Sequence, residues 1–323
     1  MSVLTYRKAI SQALQEALRQ DDRVFLMGED IGAYGGAYAV TRGFLKEFGE
    51  KRIKDTPIAE SVIVGAGIGA AMGGVRPVVE IMTINFSLLA MDQIVNNAAK
   101  LFYMSGGQVR VPLVIRTVSG GGSQLAASHS QSLEGWFAHV PGLKVVAPAT
   151  PYDALGLFRT AMQEESPTIY VENSLLYGSK GEVPEEHYVV PFGSAAVKRE
   201  GKDVTIISYS RMLILSLKAA DTLAQEGVEA EVVDLRSLRP LDTDTILRSV
   251  EKTSRAVMVE EGWKTGGFGA EIVSLIQEKA FDYLDAPVQR VAGADVPMPY
   301  SRPLELAVMP SERDIIAAVK NIL

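Results

Sequence analysis

Val111-Pro-Leu-Val-Ile-Arg-Thr-Val-Ser-Gly-Gly-Gly-Ser123 is the stretch that decides the fold. Its β-branched run predicts a buried strand, and the serine and glycines after it predict a loop at the carboxyl end of that strand. Similar strand patterns occur at residues 24–27, 77–82, 144–149 and 168–172, and helical patterns separate them. Strands that alternate with helices predict a parallel sheet with helices on both faces, which is an α/β fold.

The alternation is interrupted once, at residues 178–191, by glycine, proline and a cluster of glutamates. Strand and helix patterns resume at residues 204–208 and continue to a final helix from Glu312. A chain of 323 residues is also longer than one hydrophobic core usually supports. The sequence therefore predicts two doubly wound α/β domains, at residues 1–180 and 196–323, joined by a linker at residues 181–195.

Composition excludes several classes of function. The net charge of −7 and a pI near 5.2 argue against nucleic acid and anionic membranes as partners. The absence of cysteine excludes disulfide scaffolds, thiolate metal sites and cysteine nucleophiles, and three histidines are few for a metal centre. The first residues lack the apolar core of a signal peptide, and no apolar stretch is long enough for a membrane span. We expect a cytoplasmic protein.

A glycine run, Gly65-Ala-Gly-Ile-Gly-Ala70, satisfies the loose dinucleotide-binding fingerprint. That fingerprint requires a strand that leads directly into the glycines, and a proline-containing turn and a helical stretch stand there instead. Close helix packing through Gly65, Gly69 and Gly73 is the better interpretation. An NAD-dependent oxidoreductase would rest on this run alone.

Two polar residues are candidates for catalysis. Glu60 opens an almost wholly apolar helix after the rigid turn at Pro57, so it either complements the helix dipole or shares a proton as a buried acid. His129 follows the glycine loop at a strand end, where open α/β sheets bind ligands. A histidine there either transfers protons near neutral pH or is an ordinary solvated loop residue.

Four further candidates lie near junctions between strands and helices. Phe86, Met82 and Ile58 are apolar, and core packing is their default role, with contact to a heterocyclic ligand as the alternative. Glu29 ends a strand and belongs either to a buried acid network or to a turn.

A set of short motifs, each weak alone, is specific in combination. The chain resembles the β subunit of the thiamine-diphosphate-dependent decarboxylating component of 2-oxo acid dehydrogenase complexes, and the pyruvate dehydrogenase branch matches best. The resemblance implies a transketolase-like pyrimidine-binding domain and a transketolase C-terminal domain in an α₂β₂ heterotetramer. The motifs are Gly28-Glu-Asp, Gly35-Gly-Ala-Tyr, Asp55-Thr-Pro-Ile-Ala-Glu60, Asn85-Phe-Ser, Met91-Asp-Gln-Ile, Met104-Ser-Gly-Gly, His129-Ser-Gln, Pro141-Gly-Leu-Lys-Val-Val, Thr150-Pro-Tyr-Asp-Ala, Asp234-Leu-Arg-Ser-Leu-Arg-Pro-Leu-Asp and Glu260-Glu-Gly.

One motif of thiamine-diphosphate enzymes is missing. The chain contains no Gly-Asp-Gly, which together with a later asparagine holds the diphosphate and magnesium. The family places this motif on the α subunit. The resemblance thus implies that thiamine diphosphate is shared with the α subunit and that magnesium is held there.

The resemblance also gives the candidate residues their roles. Glu60 matches the glutamate that shares a proton with the pyrimidine nitrogen N1′ of the cofactor, and Phe86 matches the aromatic residue on the pyrimidine face. Ile58 and Met82 match apolar neighbours of that ring, and Glu29 is placed with the cofactor-binding residues. His129 matches a histidine that donates or positions a proton while the acyl group passes to the lipoyl group of the acyltransferase component.

The family's β subunit also binds a structural potassium ion, mostly through backbone carbonyls near the end of a helix. Glu164 and Ser166 replace the more usual aspartate and asparagine in this set. The matching positions are Leu113, Ala161, Met162, Glu164 and Ser166.

Two alternatives to a pyruvate enzyme stay open at this stage. One is a relative that acts on branched-chain 2-oxo acids or acetoin, since part of the substrate pocket lies on the α chain. The other is a non-catalytic assembly or electron-transfer subunit, in which Glu60 is dispensable for turnover.

Overall fold

The structure, a computed structural model, describes all 323 residues. They divide into two compact units. The first unit contains Met1–Ser119 and Trp136–Phe192, and the second contains Gly120–Gly135 and Gly193–Leu323. No helix has both the length and the apolar character that a transmembrane segment requires.

A parallel sheet forms the centre of the first unit. Its strands are β2 (Val24–Gly28), β3 (Ile53–Asp55), β4 (Arg76–Ile81), β5 (Val114–Ser119), β6 (Lys144–Val146) and β7 (Thr168–Asn173). Their spatial order is β6-β7-β5-β4-β2-β3, and every neighbouring pair is parallel. Two further strands, β1 (Ser2–Thr5) and β8 (Lys180–Val183), form a separate antiparallel pair.

The α-helices up to residue 192 are α1 (Tyr6–Gln20), α2 (Phe44–Phe48), α3 (Glu60–Met72), α4 (Leu101–Met104), α5 (Glu134–Ala138) and α6 (Pro151–Gln163). The three long helices, α1, α3 and α6, cover this sheet. Thr5, a residue type that favours helix N-caps, caps α1, because its side chain accepts a hydrogen bond from the Lys8 amide at 3.2 Å. Thr150 caps α6 in the same way. These caps fix where the two helices begin.

Within the stretch from Val111 to Ser123, residues Val114–Ser119 form the core strand β5, and all six of them are buried. Strands buried on both faces are typical of parallel sheets, and they need nearly continuous apolar sequence. Arg116 is the charged exception in β5, and it is paired with Glu80 and Glu172 on the two neighbouring strands. The prediction of an α/β fold is confirmed.

The sequence pattern of residues 87–104 predicts one long helix, and this prediction is wrong. The segment is a 3₁₀-helix at Ile84–Ala90, a π-helix at Gln93–Ala98 and then α4. Side chains compete with regular helical bonding here, since Ser87 Oγ donates to the Ile84 carbonyl at 2.5 Å and Asn97 Nδ2 donates to the Asp92 carbonyl at 3.4 Å. Apolar spacing alone does not register that competition.

The glycine run packs differently from the prediction. Gly67 is the residue that needs to lack a side chain, because a Cβ there would lie 2.7 Å from Val79 Cγ1. Gly69, predicted to mediate close packing, has no atom within 4 Å of the same position. The run therefore sits inside α3 with Gly67 against the sheet, rather than in the strand-to-helix loop that a dinucleotide needs.

From residue 193 onward, the second unit contains β9 (Ala196–Arg199), β10 (Val204–Ser208), α7 (Ser210–Gln225), β11 (Ala230–Asp234), β12 (Ser237–Arg239), α8 (Thr243–Thr253), β13 (Ala256–Trp263), α9 (Gly269–Ala280), β14 (Gln289–Gly293), α10 (Arg302–Val308) and α11 (Glu312–Lys320). Five of these strands, all except β12, form one sheet. The strand order is β14-β13-β10-β11-β9, with only β9 antiparallel to its neighbour.

Two segments lie differently from the predicted division of the chain. The predicted linker at residues 181–195 begins inside β8, where Val183 pairs with Ser2. Gly120–Gly135, expected within the first domain, belongs to the second unit. The reason is long-range bonding, because carboxylates from β13 and α10 hold the backbone of this segment.

Candidate functional site

The carboxyl edge of the first sheet collects several candidate residues. Glu29 directly follows β2 and Met82 directly follows β4, and these strands are neighbours in the parallel sheet. Asp55 ends β3 on the other side of β2. Because neighbouring parallel strands end at the same edge, residues that follow them gather there, as ligand sites in open α/β sheets require.

Glu60 is the first residue of α3, and the turn that leads to it starts at this edge. The Thr56 amide donates to the Gly28 carbonyl at 3.0 Å, and Ala59, with φ of −158° and ψ of 75°, is non-helical before the helix begins. The Glu60 side chain is buried, with 5% of the residue exposed. A carboxylate in the first turn is favoured by the positive end of the helix dipole, which offsets part of the cost of burial.

A second carboxylate, Glu29, responds to Glu60 electrostatically. Burial raises the pKa of Glu29, and the negative charges of Asp30 and Glu60 add to that increase. Burial and nearby negative charges both disfavour the ionised form of a carboxyl group. The Glu29 carboxyl therefore holds a proton more readily than a solvated glutamate does.

The three apolar candidates differ in exposure. Ile58 is 73% exposed, whereas Met82 and Phe86 are half-buried. An isoleucine this exposed offers contact area to a ligand or a partner. A buried carboxylate with apolar neighbours fits a pyrimidine ring, which has apolar faces and hydrogen-bonding nitrogens at its edge. The residues present thus fit the pyrimidine half of thiamine diphosphate.

Asp55 organises the glycine loop beside this edge, a role that the sequence analysis did not assign. Its carboxylate accepts hydrogen bonds from the amides of Gly32 at 2.6 Å and Ala33 at 3.1 Å. A Cβ at Gly32 would lie 2.7 Å from Asp55 Oδ2, so the approach requires glycine. The position of Asp55 in the Asp-Thr-Pro motif was the only available signal.

A cluster of ionised side chains is buried among the strands of the first sheet, and it was not predicted from the sequence. Arg116 Nε donates to Glu172 at 2.7 Å, its Nη1 donates to Glu80, and Tyr177 donates to Glu172 at 2.7 Å. Burial opposes the charge of Arg116, but the two carboxylates outweigh it and raise the pKa of the guanidinium. A charged residue inside an apolar strand was the available signal.

His129 lies in the second unit, in a segment that we call the histidine loop (residues 120–131). The side chain is exposed, and its Nδ1 is 3.0 Å from Ser128 Oγ. The His129 amide donates to the Ala126 carbonyl at 3.3 Å, and Gly120 closes the loop by donating to the Gln131 carbonyl at 3.2 Å. The imidazole is therefore accessible to solvent on a loop that its own backbone bonds close.

Two glutamates anchor the histidine loop from distant parts of the sequence. Glu305 on α10 is fully buried, and one of its oxygens accepts hydrogen bonds from the amides of Gly122 and Gln124, both at 2.9 Å. Glu261 accepts from the Gly121 amide at 2.9 Å. The loop also needs left-handed backbone at Gln124, with φ of 56°. We call this arrangement the glutamate clasp (Glu261 and Glu305).

Backbone carbonyls of the predicted potassium set accept hydrogen bonds from other groups of this chain. Arg76 Nη1 donates to the carbonyls of Met162 and Glu164, at 2.8 and 3.2 Å, and Lys144 pairs with the Glu164 carboxylate. The Leu113 carbonyl accepts from the Thr168 amide at 2.9 Å. Arg76 thus contacts two of the five predicted carbonyls, and Lys144 contacts the adjoining Glu164 side chain. No group of three or more His, Asp or Glu side chains is positioned to hold a metal.

Comparison with protein families gives two matches that together span most of the chain. Residues 2–180 match the family described as Transketolase, pyrimidine binding domain. Residues 193–315 match the family described as Transketolase, C-terminal domain. A solved structure titled "Split gene transketolase, inactive beta4 tetramer" superimposes with a TM-score of 0.82 at 25% identity, covering 99% of this chain and 98% of that one.

Curated relatives are similar over the full length. The pyruvate dehydrogenase E1 component subunit beta of Rickettsia felis is 50% identical over 319 residues, which cover 99% of this chain and 98% of the relative. The mitochondrial subunit beta-1 of Arabidopsis thaliana is also 50% identical, over 98% of this chain and 89% of the relative. The chain therefore belongs to the family of pyruvate dehydrogenase E1 component β subunits, built from the two transketolase domains.

Proposed function

We propose that this chain, together with an α subunit, catalyses the thiamine-diphosphate-dependent oxidative decarboxylation of pyruvate. The acetyl group then passes to the lipoyl group of the acyltransferase component. The observation that carries the proposal is Glu60, a buried carboxylate at the start of α3, on the carboxyl edge of the sheet and next to the raised-pKa acid Glu29.

Glu60 holds a proton at the pyrimidine nitrogen N1′ of the cofactor in this proposal. Ile58, Met82 and Phe86 would contact the ring, and the burial of Glu60 would limit proton loss to solvent. Bound thiamine diphosphate supplies the electron sink that lets the substrate lose carbon dioxide. Its diphosphate and magnesium are held by the α subunit.

His129 provides or positions a proton during acyl transfer. Its exposure suits contact with a lipoyl group that arrives from another component of the complex. The glutamate clasp keeps the loop backbone in one conformation, so the imidazole is presented without a large cost in ordering when the lipoyl group binds.

An exposed apolar surface supports the need for an α subunit. On α3, Val62 and Met72 are 65% and 51% exposed, and on α4 Phe102, Tyr103 and Met104 are 49%, 86% and 74% exposed. So many large apolar side chains are uncommon on the surface of a monomer, and they mark an interface. We propose that subunits of an α₂β₂ heterotetramer cover this surface.

Co-expression with a candidate α subunit tests the function. We expect the purified heterotetramer to decarboxylate pyruvate faster than it decarboxylates 2-oxoisovalerate or cleaves acetoin, and only when thiamine diphosphate and magnesium are present. A preference for 2-oxoisovalerate or acetoin would assign the chain to one of the alternative substrates. Full turnover by a Glu60→Ala heterotetramer would instead indicate a non-catalytic subunit.

A further inference from the structure

The end of α6 carries a cluster of backbone carbonyls that face one cation. Arg76 Nη1 donates to the Met162 carbonyl at 2.8 Å and to the Glu164 carbonyl at 3.2 Å. The second terminal nitrogen of Arg76 pairs with the Glu165 carboxylate. The Arg76 side chain is only 14% exposed, so most of it is enclosed by the first unit.

A cation is needed at this position for physical reasons. The last carbonyls of a helix have no amide partner within the helix, and they form the negative end of the helix dipole. The carboxylates of Glu164 and Glu165 add further negative charge directly after α6. Only a cation, or several N–H donors, satisfies such a group of oxygens.

Arginine meets both requirements at once. Its guanidinium is charged at any physiological pH, and its planar fork directs several N–H groups to different acceptors. Arg76 is also held firmly, because it is the first residue of β4 and its amide donates to the Arg23 carbonyl at 3.0 Å. The side chain therefore reaches the end of α6 from a rigid strand.

We propose that the Arg76 guanidinium permanently takes the place of an alkali metal ion at the end of α6. A potassium ion would have to displace Arg76 or stand beside it, where repulsion between two positive charges opposes binding. The Glu164 carboxylate is neutralised separately, because it forms an ion pair with Lys144. The stability of this chain is accordingly independent of potassium.

Thermal unfolding of the full chain in matched salts tests this proposal. At about 0.1 M salt, where screening is equal, the unchanged chain should unfold at the same temperature in potassium, sodium or tetramethylammonium nitrate. Arg76→Met should lower the unfolding temperature and restore a site for the ion. Potassium should then raise the temperature of the variant by about 2–4 °C over the other salts.

Arg19→Met is the matched control, since Arg19 also pairs with a glutamate, Glu47, but is exposed and contacts no helix end. It should show no specific response to potassium. Thallium(I), a potassium mimic, provides a direct probe in equilibrium dialysis, where Arg76→Met should bind it and the unchanged chain should not.

Three outcomes would overturn the proposal. They are stabilisation of the unchanged chain by potassium alone, thallium binding by the unchanged chain, and a folded Arg76→Met chain that ignores potassium. The first two need no variant, so the proposal is decided even if Arg76→Met does not fold.

Discussion

Glu60→Gln separates proton exchange from cofactor binding at the level of one residue. Glutamine keeps the shape and still hydrogen-bonds N1′, so cofactor affinity in the heterotetramer should fall by less than about tenfold, or 1.4 kcal/mol. Proton transfer by a positioned group is worth about 10²–10⁴ in rate, so turnover should fall by that factor. Calorimetry and deuterium exchange at the thiazolium carbon measure the two effects separately.

Glu50→Gln, at an exposed glutamate, is the control for Glu60→Gln and should leave both quantities unchanged. Equally fast deuterium exchange in the Glu60→Gln and unchanged enzymes would mean that Glu60 only complements the α3 dipole.

Arg116→Met tests the buried ion cluster. Burial raises the pKa of Glu172 and Arg116 opposes that increase, so removing Arg116 raises the pKa further. The free energy of unfolding should fall by about 3–5 kcal/mol, because the buried Glu172 and the partly buried Glu80 lose their cation. When the pKa of a carboxyl group is higher in the folded state than in the unfolded state, the free energy of unfolding falls as the pH rises. The fall begins near the unfolded pKa, about 4.3, and continues through the folded pKa.

Urea unfolding at several pH values checks this sign. The stability loss in Arg116→Met should be larger at about pH 8 than at about pH 5, because Glu172 must ionise without its partner at the higher pH. A loss that does not depend on pH, or that is greatest in acid, would contradict the assignment.

Elements with strong local signals could be predicted from the sequence, and those held by distant contacts could not. The bounds of α3 follow from Pro57 and the apolar run behind Glu60, and the structure reproduces them at Glu60–Met72. The break of residues 84–104 into three helical types depends on side-chain bonds to the backbone, which apolar spacing does not reveal. Arg76 gave no signal, because its carbonyl partners lie 86 and 88 residues away.

Glu305→Ala tests how α10 controls the histidine loop. Two amides lose a buried charged acceptor, and each such bond is worth about 1.5–3 kcal/mol. Amide hydrogen exchange at Gly122 and Gln124 should accelerate by about 10–100-fold, equivalent to about 1.4–2.8 kcal/mol of local stability. Acyl transfer should slow more than decarboxylation, since the loop carries His129.

Glu312→Ala is the control for Glu305→Ala. The Glu312 carboxylate accepts a hydrogen bond from the Thr222 hydroxyl at 3.0 Å rather than from an amide of the histidine loop. Unchanged exchange at Gly122 and Gln124 in Glu305→Ala would show that the loop is held by its own turns.

At the scale of the whole molecule, we expect the chain alone to bind thiamine diphosphate poorly. The pyrimidine side is present, but Gly-Asp-Gly, the motif for the diphosphate and magnesium, is absent from the sequence. The dissociation constant of the isolated chain should be weaker than about 1 mM, or −4.1 kcal/mol, and should tighten strongly when the α subunit is added. Tight magnesium-dependent binding to the isolated chain in calorimetry would refute a shared site.

The assignment of segments to the two units shows where sequence reasoning ends. Alternating strands and helices are enough to predict two α/β layers, because each pattern is local. The membership of Gly120–Gly135 in the second unit depends on Glu261 and Glu305, which follow the loop by well over a hundred residues. A glycine loop after a strand is the same pattern whichever unit anchors it.

The glutamate clasp also has a consequence for the order of events during synthesis. Gln124 and Glu305 are 181 residues apart, and ribosomes add about 5–20 residues per second, so roughly 10–35 s separate the two in translation. All strands of the first sheet are translated before Glu305, and β2 to β5 even precede Gln124, whereas the histidine loop still lacks its anchor. A nascent chain therefore acquires the carboxyl edge of its first sheet early, and its histidine loop is fixed only when α10 has emerged.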